Sequence, residues 1–268
     1  MPLIAASLVL VSCHAFAWGP ATHAYAALRI FGPDAPEAVL GSTLPDFNGA
    51  ARLRPEVDRV IKRLTHHECE RLAPSPFAAG FATHNGAWGA DLYAHSYGKE
   101  AGADYYATRK IKELSEKTGL SLNQSEDTFE AAMDMQIALD CGPQLGQALL
   151  EAARSVGPEQ EQAIVDAFAA PLAERVPELR PGEAESILRW AFRAHKTLME
   201  AFAIQLMQDR AYMLRIGAPL LARHLNCDTP TARNYLETAL ELCADWREPL
   251  NEIAENVRDV LEDQGRVK

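Results

Sequence analysis

The chain has 268 residues, of which 48 % are hydrophobic and 24 % charged, and its formal net charge is −11. This apolar fraction supplies a sizeable core and argues against a disordered chain. The acidic balance disfavours a dedicated nucleic-acid binder, because a phosphate backbone is bound through clustered positive charge. The same acidic charge is a much weaker argument against a metal enzyme that acts on a phosphodiester, because bound cations can dominate the local electrostatic field.

The first seventeen residues are predicted to be a signal peptide, so the mature chain is expected to be exported. Residues 1–17 contain no charged side chain at neutral pH, and the apolar run 3–11 is too short to span a bilayer. The segment ends in Ala15-Phe16-Ala17, the small-x-small pattern of a signal-peptidase site. A lipoprotein-like box ending at Cys13 offers a second cleavage site, which would make the protein lipid-anchored. A buried N-terminal helix or strand is the further alternative.

Residues 18–268 are predicted to form a single all-helical domain. Ala, Leu, Glu, Gln and Arg dominate, and no segment alternates with β-branched residues as a half-buried strand does. Residues 32–54 are rich in Gly, Pro, Asn and Asp and are predicted to be a loop. Helices are predicted over 21–31, 55–72, 77–98, 104–117 and 126–140.

The second half continues the helical pattern. Residues 183–215 contain neither Pro nor Gly, which predicts one long helix or two stacked in line. Gly217 and Pro219 are predicted to end it. Residues 151–268 therefore indicate helical packing, whereas residues 18–140 hold the candidate chemistry.

Four cysteines remain after the predicted cleavage: Cys69, Cys141, Cys227 and Cys243. An even number in an exported chain permits two disulfides in any of three pairings, and free thiols are the alternative. The sequence contains no Cys-x-x-Cys motif, which disfavours a thiolate zinc site.

The histidines cluster in the first half of the chain. Seven of the eight follow the predicted cleavage site, and five of these lie close together in the sequence: His23, His66, His67, His84 and His95. Imidazole is the commonest metal ligand among side chains, and carboxylates complete such sites. The clustering therefore predicts a metal site. His195 and His224 lie outside the cluster and are interpreted as structural.

The densest segment contains His84, Trp88, Asp91 and His95. On the predicted helix 77–98 these positions are i, i+4, i+7 and i+11, which share one face because each residue turns the helix by about 100°. His84 and Asp91 would stand about 10 Å apart along the axis, too far for one ion to bind the whole set. The spacing thus favours a cluster of ions over a single one. An amphipathic helix with ordinary hydrogen bonds is the alternative.

This segment, which starts at Gly80, resembles the Gly-x-x-x-His…Asp…His helix of the zinc-dependent phospholipase C family. That family includes the amino-terminal domain of glycosylphosphatidylinositol-specific phospholipase D, and zinc-dependent single-strand nucleases are its fold relatives. Trp18 directly follows the predicted cleavage site, as the mature N-terminal Trp of the bacterial phospholipases does, and Pro45-Asp46 is similar to the family's Pro-Asp. The resemblance covers residues 18–140 and implies an all-α, multi-helix bundle of this type.

The resemblance also implies a set of ligands for two or three Zn²⁺ ions: Trp18, His23, Asp46, His66, His84, Asp91, His95 and Glu130. Trp18 would bind through its free amine, which titrates near pH 8 and gives up its proton to a metal at little cost. His66 is preferred to His67. Asp91 is the implied bridging ligand, and Asp46 is implied as a ligand and general base. These two are the candidate catalytic residues.

Two departures from the family pattern stand out. The family places its Asp closer to the first His than Asp91 is to His84, which implies an insertion that Gly86 or Gly89 could accommodate. The family's His-x-x-x-Glu helix is matched by Glu126 and Glu130, so a glutamate stands where the His is expected. One ion would then be more oxygen-liganded, weaker or absent. A solvated helix face formed by Glu126, Glu130 and Asp134 is the alternative interpretation.

The resemblance implies an exported phosphodiesterase that hydrolyses phospholipid headgroup esters. Its substrate would be a phospholipid or another small phosphodiester, with transient contact to a membrane surface and no stable nucleic-acid partner. Zinc suits this chemistry because it lowers the pKa of a bound water toward neutrality. A zinc-dependent single-strand nuclease of the same fold is one alternative. A metal-binding or catalytically inactive domain with a structural or binding role is the other, and Glu126 is the argument for it.

Overall fold

A computed structural model describes residues 18–51, 53–94 and 105–267. The predicted signal peptide, Cys13 and His95 lie outside the described residues. The described part is helical and contains no β-strand, which confirms the predicted all-α, multi-helix bundle. Buried apolar side chains between Trp18 and Leu261 form one hydrophobic cluster.

The helices follow one another in the order α1 (Pro20–Phe31), α2 (Pro36–Thr43), α3 (Phe47–Ala51), α4 (Pro55–His67), α5 (Pro76–Ala82), α6 (Ala90–Ala94), α7 (Tyr106–Thr118), α8 (Leu122–Cys141), α9 (Pro143–Ser155), α10 (Pro158–Arg175), α11 (Glu183–Leu206), α12 (Arg210–Leu225), α13 (Thr229–Leu242) and α14 (Arg247–Asp263). Short 3₁₀ turns cover Leu44–Asp46 and Cys69–Arg71.

The sequence fixes most helix starts through a proline or a capping side chain. Helices α1, α2, α4, α5, α9 and α10 begin with Pro in the first turn, where its missing N–H is no loss. Ser121 and Gln124 form a reciprocal capping box at the start of α8. Asp209 and Asp228 cap α12 and α13 by accepting hydrogen bonds from Tyr212 N and Thr231 N.

Glycines allow α2 and α5 to pack backbone against backbone. A Cβ at Gly80 would lie 2.1 Å from the carbonyl oxygen of Ala38, and one at Gly41 would lie 2.4 Å from that of Phe77. Neither contact tolerates a side chain. This close crossing brings the end of α2 against the residues that follow α5, and the candidate site lies there.

The predicted loop over 32–54 is wrong, because α2, a 3₁₀ turn and α3 occupy most of it. The glycine and prolines that suggested a loop have other roles. Pro36 starts α2, and Gly41 permits the contact with α5 rather than a turn. All residues of α2 from Ala38 to Thr43 are buried.

The predicted helix 77–98 is also wrong, because α5 ends at Ala82 and α6 starts at Ala90. Asn85 organises the intervening turn: its side-chain oxygen accepts from Ala87 N at 2.8 Å and its carbonyl accepts from Gly89 N at 2.7 Å. A Cβ at Gly89 would lie 2.4 Å from the carbonyl oxygen of Thr83, so the turn requires glycine there. The turn changes the chain direction between His84 and Asp91.

In the second half, the predicted break at Gly217 and Pro219 is wrong, since both lie inside α12. The chain breaks instead just before Asp209, whose side chain caps α12. Pro219 costs α12 one hydrogen bond without ending it, because its neighbours Ala218 and Leu221 are buried in the core.

The four cysteines of the described part are free thiols, and Cys69 and Cys243 are buried. None of the described helices combines the length and the apolar character that crossing a membrane requires.

Candidate metal centre

Five predicted ligands come together from four separate parts of the chain. His23 lies on α1, Asp46 on the 3₁₀ turn after α2, His66 in the last turn of α4, and His84 and Asp91 on either side of the turn after α5. They form two overlapping groups, His23–Asp46–His84 and His66–His84–Asp91. Within each group the ligand atoms lie within 4.8 Å of one another, and all five residues are buried. Either group could hold a metal ion.

The Asp46 carboxylate lies between two imidazoles. Its Oδ1 is 3.4 Å from His66 Nε2, and its Oδ2 is 3.4 Å from His84 Nε2. His23 stacks on His84 with ring centroids 4.0 Å apart, and the rings of His66 and His84 meet edge to face at 4.8 Å. The three imidazoles are therefore packed around one carboxylate.

Backbone contact fixes the orientation of His84. Its Nδ1 lies 3.0 Å from the carbonyl oxygen of Ser42, which can only accept, so Nδ1 carries the proton. The Nε2 atom then has a lone pair, and it makes no hydrogen bond with the described residues. It nevertheless faces Asp46 Oδ2. Two buried acceptors that face each other are unfavourable unless a cation lies between them.

A similar arrangement holds His66. Its Nδ1 is 3.0 Å from Thr65 Oγ1, and the Thr65 hydroxyl donates to the carbonyl oxygen of Pro45 at 3.0 Å or of Ile61 at 3.1 Å. Because the hydroxyl proton is used there, Thr65 Oγ1 accepts from His66 Nδ1–H. His66 Nε2 is thus left facing Asp46, again without a hydrogen bond from the described residues. Such outer contacts commonly orient metal-binding histidines.

The electrostatics of the site agree with this geometry. Burial acts to raise the pKa of Asp46, but the imidazoles of His84, His66 and His23 outweigh it and hold that pKa below its usual range. Burial lowers the pKa of His84, although Asp46 opposes the change. A carboxylate surrounded by imidazoles is a donor set that suits a divalent cation.

Glu130 and Trp18 lie outside both groups. Glu130, on α8, is 6 % exposed and its Oε1 makes no hydrogen bond with the described residues. The solvated-face interpretation is therefore wrong for Glu130, and also for Asp134, which is buried as well. Burial raises the pKa of Glu130 well above its usual range, and neighbouring Glu126 adds to the shift. Trp18 is buried, but its predicted ligand is the amine that cleavage would create. Its role stays a prediction, as does that of His95.

The sequence did not indicate the role of Asp134, which anchors the start of α1. Its carboxylate accepts hydrogen bonds from Ala21 N at 3.1 Å, Thr22 N at 2.9 Å and Thr22 Oγ1 at 2.8 Å. A Cβ at Gly19 would lie 2.0 Å from Asp134 Oδ2, so only glycine fits there. Burial raises the pKa of Asp134 to about 6. This contact ties Trp18 and His23 to the helix that carries Glu130.

His195 is the second residue whose position the sequence did not predict. It lies on α11, fully buried, with Nε2 3.1 Å from Thr43 Oγ1. Burial lowers its pKa to about 4, and both Asp46 and His84 are near enough to influence that pKa. His195 therefore packs behind the site, in the outer layer to which Thr65 also belongs.

A surface cleft of about 550 Å³ leads to the candidate metal centre. Two of the candidate ligands, His66 and Asp91, line this cleft, and the other lining residues are Pro55, Asp58, Arg59, Lys62, Arg63 and His67. His67 is exposed at the mouth, whereas His66 is buried with the other candidate ligands. A Cβ at Gly86 would lie 3.0 Å from Asp91 Oδ2 and 2.8 Å from His67 Cε1, so a side chain there would crowd the site.

The chain matches no protein-family model, no curated protein and no solved structure. The resemblance to the zinc-dependent phospholipase C family therefore depends on the residues named above. The geometry by itself establishes a buried group of histidines and aspartates that could hold a metal ion.

Proposed function

We propose that this protein is an exported zinc-dependent phosphodiesterase that hydrolyses phospholipid headgroup esters. One observation carries the proposal: in the buried site, the free Nε2 atoms of His66 and His84 both face the carboxylate of Asp46. Without a cation, one of the facing groups would have to carry a proton. A cation bound between the imidazoles and the carboxylate would be favourable to both. The cleft would give a substrate access to that cation.

The donor set favours zinc over other cations. Three imidazoles and two carboxylates are a nitrogen-rich set, which magnesium and calcium avoid and zinc prefers. His84 can serve only one ion, because its Nδ1 is held by Ser42. A second ion would need a shared carboxylate, and Asp46 presents one oxygen to each of His66 and His84. We therefore propose two or three zinc ions per chain.

When bound, zinc would lower the pKa of a water and offset charge on the phosphoryl oxygens. In the proposed hydrolysis, water adds to phosphorus, the bond between phosphorus and the diacylglycerol oxygen breaks, and a phosphorylated headgroup and diacylglycerol leave. The imidazoles keep Asp46 ionised. This suits a ligand better than a general base, because a base needs a pKa near the working pH. Asp91, at the inner end of the cleft, stays the predicted bridging ligand.

The test is a turnover assay on protein that has been exported and cleaved before Trp18. Short-chain phosphatidylcholine and single-stranded DNA would be incubated with zinc-loaded protein, and products measured by mass spectrometry. Release of diacylglycerol that stops on chelation and returns with zinc supports the proposal. Cleavage of the DNA alone would support the nuclease alternative. Bound zinc without turnover of either substrate would support the inactive metal-binding alternative.

A further inference from the structure

Three basic residues on α4 line the cleft that leads to the candidate metal centre: Arg59, Lys62 and Arg63. We call them the basic rim. They lie on the same helix as His66 and precede it by seven, four and three positions. These offsets place them on the His66 side of the helix.

The arginines of the basic rim are not used to neutralise acidic side chains. Within the described residues, Arg59 and Arg63 form no ion pair, and their side chains are exposed. Asp58, in the same cleft, accepts a hydrogen bond from Asn48 Nδ2 at 2.8 Å instead. Some other arginines do contact carboxylates; Arg71 and Arg175, for example, both bond Glu68. In a chain of net charge −11, two guanidinium groups that line the cleft and form no ion pair within the described residues are available to an anionic ligand.

The distances along α4 show which part of a ligand they would meet. Arg63 lies about 5 Å and Arg59 about 10 Å along the axis from His66. A phosphoryl group at the metal centre would contact His66 and Asp91 at the inner end of the cleft. The basic rim lies further out, where the headgroup of the substrate would lie.

We propose that the basic rim binds a second anionic group, carried by the headgroup beside the scissile phosphodiester. The preferred substrates would then be phosphodiesters whose headgroup bears its own phosphate or another anion, rather than zwitterionic ones. Guanidinium groups suit this role because they bind phosphate in a bidentate manner. This inference rests on the proposed phosphodiesterase function and adds the substrate class to it.

The first experiment compares two substrates that differ only in the extra phosphate. Short-chain phosphatidylinositol and phosphatidylinositol 4-phosphate are soluble, which removes the surface charge of a vesicle from the comparison. We expect the wild-type protein to prefer the phosphorylated substrate in kcat/KM. The double variant R59Q/R63Q should lose about 100-fold on it, about tenfold per guanidinium contact, and stay unchanged on phosphatidylinositol.

The matched control is R210Q/R233Q, which removes the same charge from exposed positions on α12 and α13, outside the cleft. It should behave as the wild type on both substrates. An equal loss by R59Q/R63Q on both substrates would overturn the inference, because the arginines would then contact the scissile phosphate itself. No loss on either substrate would also overturn it.

A second experiment separates the failure of this inference from the failure of the proposed function. Binding of inorganic pyrophosphate to the purified protein, measured by calorimetry, needs no turnover. We expect the wild type and R210Q/R233Q to bind equally, R59Q/R63Q to bind at least tenfold more weakly, and added salt to weaken the wild-type affinity. If this result holds while no phosphodiester is cleaved, the anion site stands and the phosphodiesterase proposal falls. Equal binding by all three proteins would overturn the anion site.

Discussion

Two buried carboxylates in different parts of the molecule are neutralised in opposite ways. Glu161, on α10, accepts hydrogen bonds from Arg193 Nε and Nη2, both at 2.7 Å, and from Arg189 Nη1 at 3.2 Å. Asp46, at the candidate metal centre, has no Arg or Lys partner among the described residues. The Nε2 atoms of His66 and His84 lie 3.4 Å from its carboxylate oxygens.

The two carboxylates differ in the groups that surround their charge. In the second half, the charge of Glu161 is balanced within the protein by two arginines. In the first half, the charge of Asp46 is surrounded by imidazoles whose other nitrogens are already held at His66 and His84. A buried charge without an internal counter-ion is costly, and the histidines and aspartates around Asp46 could hold a metal ion.

The largest effect is expected from replacing the carboxylate that lies between the histidines. Asp46→Asn keeps the size of the side chain but removes the charge. We expect phosphodiesterase activity to fall at least about a hundredfold, the upper loss seen when even an outer contact of a metal site is removed. Activity on phosphatidylcholine is the measurement, with Glu161→Gln as the matched control. Equal activity of the two variants would remove the contrast between the two carboxylates.

The next effect concerns the pH dependence of stability and His195. The pKa of His195 is about 4 in the folded state, below the ordinary value of 6.5. Its contribution to the free energy of unfolding is therefore fully present above pH 6.5. It is lost as the pH falls toward 4, because the unfolded state takes up the proton first. The loss between pH 7.5 and 4.5 is expected to be about 2–3 kcal/mol.

His195→Gln should remove this part of the pH dependence. Urea unfolding at pH 7.5 and 4.5, with chelator present so that metal loss does not contribute, measures the difference for each protein. Parallel losses in the wild type and the variant would show that His195 is not kept neutral by burial.

A smaller effect is expected from the hydroxyl that orients His66. Thr65→Val removes the acceptor of His66 Nδ1–H while keeping the side-chain shape. Zinc affinity should fall about 10–100-fold, as for other outer contacts of metal ligands. Competition with a chromogenic chelator measures it. Thr43→Val, whose hydroxyl contacts His195 instead, is the control and should keep the wild-type affinity. If Thr43→Val lost as much zinc affinity as Thr65→Val, the effect would come from a general disturbance of packing and not from the contact with His66.

The smallest effect is expected from Glu161→Gln itself. Arg193 is exposed and Arg189 is partly exposed, so loss of the Glu161 charge should cost only about 1 kcal/mol in the free energy of unfolding. Zinc content should not change. A loss of zinc in Glu161→Gln, detected by elemental analysis, would show that the two halves of the chain are not independent in the way proposed.

The sequence predicted the all-α class and most helices, because proline starts, capping side chains and helical periodicity are local signals. It failed where a residue served a distant contact. Gly41 and Pro36 suggested a loop, although Gly41 permits the close approach of α5. Gly217 and Pro219 suggested a helix end, although packing carries α12 through both.

The candidate metal centre shows the same difference between local signals, which the sequence carries, and distant contacts, which it does not. The clustering of histidines and the resemblance to the phospholipase C family together pointed to His23, Asp46, His66, His84 and Asp91, and the fold brings these five together. The predicted helical face was wrong, because the turn between His84 and Asp91 is set by Asn85 and Gly89. The contacts of Asp134 and His195 join residues more than 100 positions apart, and no local pattern marks such pairs.

The metal content of the protein tests most directly whether the candidate metal centre holds zinc. Wild-type protein and Asp46→Asn would be purified from an exporting host, with zinc measured by elemental analysis and the N-terminus by mass spectrometry. We predict two or three zinc ions per wild-type chain that begins at Trp18, and fewer in the variant. Wild-type protein correctly cleaved before Trp18 but free of bound zinc would contradict the account.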